Sequence, residues 1–251
     1  MIRTIAGFEA RSLLRAAQTW VIAAVLAIVF AYIFLQSLET YLNVQPSLAL
    51  QDHPLGLSGF LSVRYLAALV MVFALITPLL AMKSFSDEYR QHTIPLWQSS
   101  PVSTTQLVLG KFLGVAVVVL MLVAIACVIP LLMRFFTPID LGVLGSSTLG
   151  LTLASLSFAA MGMFFSSLTR HAILAVAASI LLLLLLWLLG SAPATGNALA
   201  SSLVMFSTPN HLAGFFQGYI ASADVAYFVL LTVLFIVLTI IRLDALRHSG
   251  Q

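Results

Sequence analysis

Few side chains in this 251-residue chain can do chemistry, and their positions restrict what that chemistry can be. The five histidines are His53, His92, His171, His211 and His248, all in loops or at the ends of apolar runs. That placement lacks the buried helix pair that would ligate haem inside a membrane. An intramembrane protease needs a nucleophile and its base in one buried site, which this pattern also lacks. Isolated serines within apolar runs, such as Ser155 and Ser157, read more simply as helix-packing residues. Cys127 is the single cysteine, so no disulfide framework or cysteine metal cluster is available. It reads as a small buried hydrophobe. No Asp, Glu, Lys or Arg falls well inside an apolar run. Such charges cost at least ~2.5 kcal/mol at mid-bilayer and serve ion relays, so an ion-driven carrier is disfavoured.

The charges gather in the stretch MKSFSDEYRQHTIPLWQSSPVSTTQLVLGK, residues 82–111, which holds Lys83, Asp87, Glu88, Arg90 and His92. Pro95 stops a helix near Thr93, and Pro101 marks a turn. Ser103 followed by Gln106 is a capping box that starts the next helix, and Lys111 can snorkel to the interface. The shape is a helix leaving the membrane, a short charged helix along the surface, a turn and re-entry. A docking surface for an external motor and an ordinary solvated loop both fit it. Ahead of the first apolar run, residues 1–18 form an amphipathic elbow helix with Arg3, Arg11, Arg15 and Gln18 on one arc. It suits the inner leaflet and its anionic headgroups. Glu9 falls on the less polar side, where it either meets a basic partner in the next loop on the same side or points to solvent at a frayed helix.

The elements that must position these residues follow from composition. The chain is 61% hydrophobic and 8% charged, with a mean hydropathy of +1.11. A soluble domain carries about 25% charged residues, so a soluble enzyme, a nucleic-acid-binding module and a disordered chain are excluded. Six apolar segments mark spans: Trp20–Leu38, Tyr65–Met82, Phe112–Met133, Ser147–Leu168, Ala172–Leu189 and Val225–Ile241. Each can cross ~30 Å of hydrocarbon, and lipid makes them helices. Six spans put both termini on one side. Arg3, Arg11, Arg15, Lys83, Arg90, Lys111, Arg170, Arg242 and Arg247 then lie on that side, and only Arg64 and Arg134 on the other. This asymmetry predicts cytoplasmic termini. Trp20 and Tyr65 sit at span ends as interfacial aromatics, and the six leucines from Leu181 to Leu186 read as lipid-facing. The fourth span is rich in small residues, including Gly145, Gly150, Ala154 and Gly162, which suits packing within the subunit or a mobile seam.

The loop from Glu39 to Arg64 is longer and more polar, either a contact for a periplasmic partner or a plain connector. The stretch 190–223 lacks Asp, Glu, Lys and Arg and is broken by Pro193, Gly196 and Pro209. Two short helices dipping in from the outer face are expected there, Ala198–Phe206 capped by Asn197 and a second capped by Thr208. The fold class is an all-α integral membrane protein, one transmembrane domain over 1–251. It has an elbow helix at 1–18, a charged cytoplasmic loop at 83–106 and an outer re-entrant segment at 190–223.

The segment FSDEYRQHTIPLWQSSPVSTTQLVLGKFLG resembles the region after the second span of type-two ABC exporter permeases, through Asp87, Glu88, Arg90, Thr93, Ser100, Pro101, Leu109, Gly110 and Lys111. His92, where glycine is usual, and Pro95, where an acid is common, depart from the pattern. His211, Phe215, Gly218, Asp224 and Tyr227 resemble the end of gliding-motility-type (Gld-like) permeases, and FEARSLLR resembles the family's elbow helix through Glu9 and Arg15. The resemblance implies a non-catalytic membrane subunit of the bacterial inner membrane. It would pair with a second permease copy or a paralogous membrane subunit, with or without a periplasmic domain, and with two separate ABC ATPase subunits. Those would bind ATP and Mg, since this chain has no GxxxxGK[ST] phosphate loop. The resemblance makes Asp87, Glu88, Arg90, His92 and Thr93 the ATPase-coupling region, and Arg170 and His171 a second, smaller contact. The implied function is substrate export. The alternative is a mechanotransmitting subunit that relays ATPase strokes to a periplasmic or motility partner.

Overall fold

The computed structural model describes residues 2–48, 56–90, 103–137, 139–191 and 205–249. All regular structure among them is helical: α1 Ile2–Arg15, α2 Ala17–Leu48, α3 Leu57–Leu61, a π-helical turn Ser62–Leu66, α4 Ala67–Ala81 and α5 Lys83–Arg90. Then follow α6 Thr104–Leu132, α7 Leu141–Leu168, α8 Ala172–Leu188, α9 Thr208–Phe216 and α10 Ser222–Ser249. Five helical runs are long and apolar enough to cross a membrane: Ala17–Pro46, Gly59–Glu88, Thr104–Phe135, Leu141–Leu168 and Ser222–Arg247. The fifth apolar segment, α8, has 17 residues and is the shorter exception.

Helix α7 is the axis of the bundle and packs on α4, α5, α6, α8, α9 and α10. Its small residues make this possible. A Cβ on Gly150 would lie 2.8 Å from Phe215 of α9, and one on Gly162 would lie 2.9 Å from the Pro78 Cα of α4. Ala154, Ser155, Ser157, Ala159 and Ala160 are buried too. The small-residue stripe therefore packs within the subunit. Ser155 and Ser157 donate to Leu151 O and Ala154 O of their own helix, which satisfies their hydroxyls in the core. On the other side of the core, Phe30 of α2 stacks on Phe73 of α4, and Phe34 meets Tyr65 edge-on.

Several sequence expectations need correction. Helix α2 continues to Leu48 and α3 begins at Leu57, so both ends of the expected loop Glu39–Arg64 are helical, and its middle, residues 49–55, lies outside the described residues. Thr40 bonds back to Gln36 O, and Tyr41 packs on Phe60 of α3, which carries the helical pair outward. Tyr65 is no interfacial anchor, because it is fully buried and donates to Ala126 O at 2.7 Å. Leu181, Leu184 and Leu185 face outward, but Leu183 turns into the core. Ser207, not Thr208, is the residue at the N-cap of α9, and it makes no side-chain cap bond. Of the expected helix Ala198–Phe206, only the turn at Met205 and Phe206 lies within the described residues. Helix α9 closes with Gly218 N on Phe215 O and Tyr219 N on Gly214 O. Gly218 takes φ +92°, the left-handed conformation this closing motif needs.

Candidate coupling interface

The end of the bundle that carries nine of the eleven basic residues is built around the starts of α2, α6 and α8 and the ends of α5, α7 and α10. Helix α1 breaks from α2 at Ala16 and is pinned there by the Trp20 indole, which donates to Leu14 O at 2.7 Å. It lies against the first turns of α6. A Cβ on Gly110 would sit 2.6 Å from Ile5 Cγ2, and one on Gly114 would sit 2.6 Å from Glu9 Cβ. Two glycines four residues apart thus let the helices meet at backbone distance.

That approach delivers Glu9 to Lys111. Lys111 is only 6% exposed and does not snorkel to an interface as its sequence position suggested. Its ammonium lies 2.8 Å from a Glu88 carboxylate oxygen and 3.8 Å from one of Glu9. It donates to Ser84 O at 2.8 Å and sits 5.4 Å above the Phe85 ring. A buried ammonium is tolerated only when paired and hydrogen-bonded, and here the partners come from α1 and α5. One side chain therefore joins three helices.

Helix α5 is not a free helix along the surface. Met82 keeps right-handed helical angles (φ −58°, ψ −32°), so Gly59–Glu88 is one helical run with a turn at Met82. Ser84, Phe85 and Ser86 are buried. Ser166, at the end of α7, closes the junction. Its hydroxyl donates to Met82 O at 2.6 Å and accepts from the amides of Phe85 (3.1 Å) and Ser86 (3.0 Å). First-turn amides of α5 thus receive their cap from another helix. Four residues further on, Arg170 and His171 are exposed at the turn into α8, where Thr169 Oγ1 accepts from His171 N.

The expected coupling residues therefore divide. Glu88 points inward to Lys111 with its side chain 17% exposed, and Asp87 is half-buried and engaged. Arg90 ends α5, its side chain outside the described residues, as are His92 and Thr93. Ser103 is the N-cap of α6, its hydroxyl accepting from Gln106 N at 3.3 Å, which is one of the two bonds of the expected capping box. Lys83 is exposed and donates to Gln18 Oε1 at 3.2 Å. Arg11 and Arg15 lie with Arg3 on the open side of α1, around a groove of about 720 Å³ that also includes Thr4, Gly7 and Phe8. Thr104, at the start of α6, donates to Asp244 near the end of α10. Sequence reading missed Ser166, Asp244 and the glycine pair. Only the pair left a signal, its four-residue spacing.

A family model described as an ABC-2 family transporter protein matches residues 3–245. No curated protein matches the chain significantly. With its apolar helices, this match makes it a multi-pass membrane protein, and the chain belongs to the ABC-2 family of transporter proteins.

Proposed function

We propose that the chain is the membrane-spanning permease subunit of an ATP-binding-cassette exporter in a bacterial inner membrane, of the Gld-like branch. Helix α8 counts as the sixth span, and both termini are cytoplasmic. A separate ABC ATPase binds ATP and Mg, and a second copy or a paralogous membrane subunit completes the pair. The observation that carries this reading is the Lys111 junction, which ties α1, α5 and α6 into one unit at the basic end. Ser166 adds the end of α7, so the Asp87–Arg90 region and the Arg170–His171 turn share a mechanical link. A stroke delivered to α5 would reach α6 and α7 without passing through a flexible loop. Coupling requires that the motor's contacts differ between its two states.

A second reading, a relay that moves no cargo through itself, is favoured by one feature. Ser155, Ser157, Ser179 and Thr239 are fully buried and bond to their own helices, so they offer no polar lining to a path through the subunit.

The test is a triple change, Asp87→Ala, Glu88→Gln and Arg90→Ala, with co-purification and ATPase rate in nanodiscs. Glu88→Gln alone serves as the control for weakening the Lys111 junction. Expected is a permease that still inserts but no longer stimulates the co-expressed ATPase. Unchanged partner binding and stimulation would leave this region a packing element with no coupling role.

A further inference from the structure

At the opposite end of the bundle, His211 of α9 uses both ring nitrogens. Nδ1 lies 2.7 Å from Asp224 Oδ1 of α10, and Nε2 lies 2.8 Å from Met205 O. The Tyr227 ring stacks on the imidazole at 4.0 Å between centroids, and its hydroxyl donates to Phe206 O at 2.8 Å. Two side chains thus hold the carbonyls of the turn that leads into α9. Gly214 leaves room for the Asp224 carboxylate, whose Oδ2 would lie 3.3 Å from a Cβ there.

We propose that His211, Asp224 and Met205 O form a proton-binding latch on the outer face, closed when it holds one proton beyond those of neutral imidazole and carboxylate, and released when that proton leaves. The argument is a count of donors. A backbone carbonyl and a carboxylate only accept, and neutral imidazole carries one N–H. Both contacts are hydrogen bonds only with one proton more than neutral imidazole and carboxylate supply. That proton makes either an imidazolium donating on both sides, or a carboxylic acid donating to Nδ1 while Nε2–H donates to Met205 O. When it departs, one contact becomes acceptor facing acceptor. The bonded state is therefore the acid state, and the turn loosens as pH rises.

Few other charges bear on the site. Helix α10 contributes Asp224 and Tyr227. Asp140, at the start of α7, caps Gly142 and Val143. The π-helical turn brings Tyr65, engaged with Ala126 O, and Arg64, which lines a separate groove with Gln36 of α2. Helix α8 and residues 192–204 carry no Asp, Glu, His, Lys, Arg, Tyr or Cys.

The test is hydrogen exchange by mass spectrometry on the full chain in nanodiscs, following peptides over 205–212 and correcting for the intrinsic pH dependence. Between about pH 5.5 and 8.5, loss of one hydrogen bond should lower protection about three- to ten-fold. His211→Gln should give a pH-independent profile. Asp224→Asn lets neutral histidine satisfy both contacts, because the amide donates to Nδ1, so protection should stay high throughout. No pH step in the unaltered protein, or a step that survives in His211→Gln or Asp224→Asn, would overturn the latch. ATPase coupling plays no part in this readout, so its outcome is separate from the permease assignment.

Discussion

Lys111 and Glu88 are 23 positions apart in sequence and meet at 2.8 Å inside the basic end of the bundle. The pair closes the junction between the second apolar run and α6. Glu9, 3.8 Å away, brings the N-terminal helix into the same contact. Breaking one partner of a buried pair leaves an uncompensated charge, a cost of about 3–5 kcal/mol. Lys111→Met should therefore destabilise the protein strongly, whereas Lys111→Met with Glu88→Gln should recover part of the loss. Thermal unfolding of the four species in a double-mutant cycle measures the coupling. Additive single effects would show that the pair does not hold the junction.

The glycine pair on α6 makes a second expectation. Gly110→Ala and Gly114→Ala each place a methyl 2.6 Å from a side-chain atom of α1, and overpacking costs about 1–3 kcal/mol. Helix α1 should lift, and trypsin should cut sooner at Arg11 and Arg15. Gly7→Ala meets nothing within 4 Å and should stabilise α1 by up to about 1 kcal/mol. Equal proteolysis of all three variants would remove the close-approach argument.

Ser166→Ala removes the acceptor for the Phe85 and Ser86 amides and the donor to Met82 O. Each orphaned buried group costs about 1–3 kcal/mol. The expected result is a lower unfolding temperature with faster exchange confined to residues 82–90. Ser155→Ala, which deletes a hydroxyl bonded only to its own helix, should change stability much less.

Orientation is tested with reporter fusions. A fusion after Gln251 should report the cytoplasm, and one within α2's far end, at Asn43, should report the opposite side. Equal signals would defeat the topology that the basic residues imply.

The sequence alone determined the helical membrane class, because low charge and long apolar runs leave the backbone no partner but itself. It also determined where charge gathers: the Asp87–Arg90 cluster and the basic asymmetry are visible without any fold. That Glu9 lies on the less polar face of its helix was legible, which left a basic partner or solvent as its alternatives, and the Lys111 contact decides for the partner. Which base that partner is was not legible, since Lys111 reads equally as an interface anchor until α1 packs on Gly110 and Gly114. Helix ends run past the hydropathy limits for one reason. Hydropathy marks where lipid stops, while a helix continues as long as its amides find carbonyls, as in α2 to Leu48 and α10 to Ser249. Ser166 and Asp244 left no local signal, because a cap or link supplied across 80 or 140 residues has no period to detect. His211 and Asp224 stand 13 apart, in a helix and just past a turn. Their meeting depends on the Gly218 reversal, which the tertiary fold decided by seating Phe215 against Gly150 of α7.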